Sequence, residues 1–114
     1  MKPKFYHCTN KQAAPGKDFM LFAGEPAFFC EVIESDNLPE ALETEAAYQA
    51  RAEAANMPAI GSRTFHKGKY YSLLAIAVFE PVQNADHIAR VARKMADWYL
   101  YNILMKGENN ENKT

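Results

Sequence analysis

His7 and Cys8 stand side by side near the start of the chain; with Cys30, His66 and His87 they are the residues whose types could carry nucleophilic or metal chemistry. A thiol and an imidazole work as nucleophile and base only within hydrogen-bond reach of each other. In an extended segment neighbouring side chains point to opposite faces, so adjacency alone does not pair His7 with Cys8. Two well-separated cysteines and three scattered histidines also lack the paired spacing of a zinc site. No phosphate-cradling glycine loop, metalloprotease helix or nucleophile elbow is present. The expectation is therefore no catalytic residue, no metal and no cofactor, with both cysteines reduced. An enzyme is the third-ranked reading, resting on a cleft assembled from scattered residues that leaves no mark in a sequence.

Charge offers a second chemistry. "RTFHKGKYY", residues 63–71, places Arg63, Lys67 and Lys69 beside His66, Phe65, Tyr70 and Tyr71. Cations that meet phosphates, interleaved with aromatics that stack on bases, are the composition of a nucleic-acid platform. Further along, Arg90, Arg93 and Lys94 share one sector of a helix, opposite Ile88, Val91, Met95 and Tyr99, although Asp86 and Asp97 lie in the same sector. A module that binds nucleic acid through this hairpin and this helix face is the alternative function. The simpler account is a solvated hairpin tip and a solvated helix face. The acids Glu31, Glu34, Asp36, Glu40, Glu43 and Glu45 form the opposite run. Acids at the start of a helix favour its dipole, which explains them without a partner.

Apolar surface gives the leading expectation. In "ADWYLYNILM" the core stripe continues through Trp98, but Leu100 and Leu104 fall on the arc that was polar a turn earlier, and Tyr101 and Met105 widen it. A helix apolar all round is covered all round. Trp98, Leu100, Tyr101, Leu104 and Met105 are therefore the candidate contacts for a second copy or a protein partner. The expected function is a small non-enzymatic interaction or regulatory accessory protein, a homodimer through its C-terminal helix.

These residues must be positioned by a short series of elements. "KFYHCT", "DFMLFA" and "AFFCEVIE" read as three strands of an antiparallel meander, separated by Pro15-Gly16 and Gly24-Glu25-Pro26. "SDNLPEALETEAAYQARAEAANMP" is an alanine-rich helix with Asp36 or Asn37 as its cap and Pro39 in its first turn. "SRTFHKGKYYSLLAIAVFE" is a hairpin turning at Lys67-Gly68. Its second arm alternates Tyr70, Leu74, Ile76 and Val78 against Tyr71, Leu73, Ala75, Ala77 and Phe79, so both faces are apolar and the strand is central. Ala75 and Ala77 leave room for the alanine-rich helix. A second helix follows Pro81, capped at Asn84 or Asp86 and closed by Gly107.

The predicted class is α+β, an antiparallel sheet of four to five strands with two helices (βββ-α-ββ-α), in two layers. With 114 residues, 48% hydrophobic and 24% charged, the chain suits one globular domain over 1–107, with a disordered tail over 108–114. A net charge of −1 gives no global field towards nucleic acid or membrane. No stretch is long enough to span a bilayer and no signal peptide is legible, so the expected compartment is the cytoplasm.

Overall fold

The computed structural model describes residues 4–9, 12 and 16–106. The expected closing Gly107, the tail over 108–114 and part of the first loop lie outside the described residues. Five strands and two helices follow one another as β1 (Phe5–Thr9), β2 (Asp18–Phe22), β3 (Phe28–Ser35), α1 (Leu38–Ala54), β4 (Gly61–His66), β5 (Lys69–Val78) and α2 (Ala85–Tyr99). A π turn, Leu100–Leu104, prolongs α2. This is the expected order and class.

Local chemistry sets the boundaries. The side chain of Asn37 accepts a hydrogen bond from the Glu40 amide at 2.9 Å, and that of Asn84 accepts from the His87 amide at 3.0 Å. Each cap satisfies one of the orphan donors of a first turn. At the β4–β5 hairpin Lys67 and Gly68 both take positive φ, 50° and 78°. That pair of conformations matches the twist of the flanking strands, which explains a glycine at the second position.

The strands pair antiparallel throughout, in the order β1-β2-β3-β5-β4. β5 is central, as its two apolar faces require. On one face Leu73 and Ala75 join Met20, Phe28 and Cys30 beneath Ile88, Met95 and Ala96 of α2. On the other, Leu74 packs with Tyr48 and Ala52 of α1. Neighbouring residues of one strand face opposite ways, so the helices lie on opposite faces and the expected two layers are three. The connectivity supplies the reason. α1 links β3 to β4 and crosses β5 on one side, which leaves the other apolar face of β5 to α2. Ala75 accordingly sits under α2, not under the alanine-rich helix.

The alternation within β5 also changes partway along. Cys30 opposes Ala75 while Phe29 opposes Ala77, so Ile76 is the extra residue of a bulge. Beyond it Val78 pairs with Phe28 and packs on the α2 side, where simple alternation had placed it with Leu74. Phe28, Met20 and Met95 are fully buried, each worth about 1.5–3 kcal/mol in transfer from water. A Cβ at Gly61, where β4 meets β5, would stand 2.9 Å from a methyl of Leu74 and oblige that side chain to shift.

Candidate interaction surface

α1 rests on β5 and β3, and among the described residues nothing lies over the same face of β1 and β2. The pairing register fixes what is left there. Tyr6, Leu21, Phe29 and Ala77 form a row across four strands, and Cys8, Phe19 and Glu31 form the next. Tyr6 is 55% exposed, and Ile76 and Phe79 beside the row are 47% and 62% exposed. Phe19, Leu21 and Phe29 are half-buried, with the rings of Phe19 and Phe29 stacked at 5.3 Å. The Lys17–Glu31 ion pair, at 3.6 Å, borders the patch. Both faces of β2 and β3 are thus apolar: Phe19 and Leu21 against Met20 and Phe22, Phe29 against Phe28 and Cys30. The sequence carries this signal in the unbroken runs "FMLF" and "AFFC", and the same inference that makes β5 a covered strand applies to them.

The C-terminal helix presents less apolar surface than its sequence suggests. Tyr101 and Met105 are exposed, Leu100 is half-buried, and Leu104 and Trp98 pack against the main core. Trp98 meets the ring of Phe5 across the sheet, with centroids 6.3 Å apart. A π turn holds one more residue than an α turn and sets later side chains back by about 100°. That rotation turns Leu104 from the polar arc towards the core. Asn102 donates to the Trp98 carbonyl at 3.0 Å within this turn.

The basic residues of the hairpin and of α2 meet at one point. Arg93 donates to the Arg63 backbone carbonyl at 3.2 Å. Three of these cations lie against carboxylates: Arg63 donates twice to Glu45, at 2.7 and 2.8 Å, Lys69 lies against Asp36 and Glu34, and Arg93 lies 3.3 Å from Asp97. Arg90 and Lys94 are exposed on the outer side of α2, Lys67 is exposed at the turn, and His66 is half-buried at the end of β4. Phe65 is half exposed and packs its ring on Tyr70, whereas Tyr71 turns to the α2 side against Tyr99. The aromatics of the hairpin therefore divide between two faces, Phe65 and Tyr70 on the face of Arg63 and Tyr71 on the other.

Two polar clusters remain. Glu45 also accepts from the buried Ser72 hydroxyl at 2.8 Å, and the Arg63 guanidinium holds its carboxyl below the usual range. On the α2 side Tyr99 donates to Asp18 at 2.7 Å, and His7 approaches the same carboxylate at 3.4 Å. Burial, then the bond to Asp18, raises the Tyr99 hydroxyl well above its ordinary range, so it stays protonated and serves as a clasp between α2 and β2. His7 opposes Met20 on this face and Cys8 opposes Phe19 on the other, the separation that alternation implies. Burial pushes the Cys30 thiol up to about 12. Among the described residues no cluster of His, Cys, Asp and Glu could hold a metal ion, and no helix is long and apolar enough to cross a membrane.

The chain matches no protein-family model, no curated protein and no solved structure.

Proposed function

We propose that this is a non-enzymatic interaction protein, and that two copies associate through the uncovered sheet face of β1, β2 and β3. The observation that carries the reading is the unbroken apolar row from Tyr6 to Ala77, continued by Phe79. An aromatic side chain presents about 150–250 Å², so Tyr6, Phe79 and Ile76, with the exposed parts of Phe19, Leu21 and Phe29, leave roughly 400–500 Å² in water. That is within the range of the largest patch on a typical monomer, which is often a functional one. Two such patches face to face remove about 800–1,000 Å² before any polar rim is counted, which is the size of a small, weak interface. A second copy suits the patch because its border pairs Lys17 with Glu31 and the chain is nearly neutral, so like charges do not oppose contact. The exposed Tyr101 and Met105 are a smaller surface, and the helix end ranks below the sheet as a contact.

The test is molar mass against concentration by sedimentation equilibrium. The expected result is a dimer at about 100 µM, converted to monomer by Tyr6→Glu with Phe79→Glu and unaffected by Tyr101→Glu with Met105→Glu. All four positions are at least one-third exposed, so each variant should fold. A wild-type monomer at that concentration sinks the proposal. So does a dimer that survives the sheet variant or is broken by the helix variant, and the latter returns the interface to α2.

A further inference from the structure

A cavity of about 470 Å³ opens between α1 and the edge strand β4, with Arg93 reaching into it from α2. Its size falls within the range of small-molecule sites. Two guanidinium groups, of Arg63 and Arg93, line it against the single carboxylate of Glu45. A guanidinium carries five N–H donors. Glu45 engages two of those on Arg63, while Arg93 directs one nitrogen to the Arg63 carbonyl and another towards Asp97. Donors therefore remain on both residues, and the charge of the lining is positive.

The remaining wall is apolar. Leu74 lies at the base, and Tyr48 adds its ring because its hydroxyl is occupied by both the carbonyl and the amide of Ile60.

The occupant is small. The Ile60 carbonyl accepts from Ala75 of β5, so by alternation the carbonyl of Arg63 points away from the sheet. Arg93 takes that carbonyl. The guanidinium thus stands where a further strand would have to pair, and an extended peptide is kept off this edge.

We propose that the cavity binds a small organic anion, with its carboxylate or phosphate held by Arg93 and Arg63 and its apolar end against Leu74 and Tyr48. The site is separate from the sheet face proposed for self-association. The test is a two-dimensional NMR titration of the full chain with sodium benzoate and, separately, inorganic phosphate at low ionic strength. Saturable shifts confined to the Ser62 and Arg63 amides and the Arg63 and Arg93 side-chain Nε–H groups are expected. Saturation by benzoate assigns the carboxylate class, and saturation by phosphate assigns the phosphate class. Arg93→Gln, on an exposed side chain, should weaken binding about tenfold with the fold intact. The proposal is overturned if neither anion saturates, if the shifts spread equally to Arg90 and Lys94, or if Arg93→Gln binds as wild type does.

Discussion

Replacing Glu45 by alanine tests the strongest polar contact between α1 and the sheet. Its carboxylate accepts from Arg63 Nε at 2.7 Å, from Arg63 Nη2 at 2.8 Å and from the Ser72 hydroxyl at 2.8 Å. Ser72 is fully buried, so its hydroxyl loses its acceptor with no water to replace it. That loss costs about 1–3 kcal/mol. The Arg63 side chain is one-third exposed and recovers solvation, so the charge-assisted pair adds only about 1 kcal/mol after screening. The expected destabilisation is about 2–4 kcal/mol. In a chain of this length each kcal/mol lowers Tm by about 3–6 °C. Urea unfolding followed by circular dichroism measures the loss. The pH dependence supplies a second reading. The folded-state pKa of Glu45 lies below its ordinary 4.5, so the stabilisation is fully present above that value and is lost as pH falls through the folded pKa. The gap between wild type and Glu45→Ala should therefore be constant near neutrality and narrow progressively below pH 4.5, leaving the part due to Ser72, whose hydroxyl still donates to the protonated carboxyl. A loss under about 0.5 kcal/mol at pH 7, or a gap as wide at pH 2 as at pH 7, refutes the reasoning.

The end of α2 separates core from surface: Leu104→Glu should destabilise by about 2–4 kcal/mol because Leu104 packs on the core, whereas Tyr101→Glu should stay within about 0.5 kcal/mol. Equal effects in urea unfolding would mean that the π turn does not rotate Leu104 inward. The thiols should differ as sharply. In native protein at pH 8 a disulfide reagent should label the partly exposed Cys8 within minutes and reach Cys30, buried with its thiol pushed up to about 12, only after unfolding; rapid labelling of both would contradict the packing of β3.

Local signals made much of the architecture readable. Residue type narrows each helix cap to two candidates, Asp36 or Asn37 and Asn84 or Asp86, and Asn37 and Asn84 make the bonds, since capping involves groups three residues apart. Lys67-Gly68 marks its turn for the same reason, as φ preference belongs to single residues. β5 announces its central place through two apolar faces. The bulge at Ile76 left no such trace, because it depends on how β5 registers against β3. Neither did the π turn, which shifts Leu104 by an angle that an ideal helical wheel does not contain.

The surfaces follow the same division. Side-chain type and spacing determined by themselves that this is an α+β chain of five strands and two helices, that His7 and Cys8 face apart, and that apolar residues exceed what one sheet face needs. Which apolar face stays open was decided by tertiary structure alone. α1 crosses over β5 and stops short of β1 and β2, while α2 fills the opposite side, and helix placement depends on connectivity between segments far apart in sequence. The cavity has the same origin. Glu45, Arg63 and Arg93 stand on α1, β4 and α2, and only the packing of those three elements brings two guanidinium groups and a carboxylate to one place.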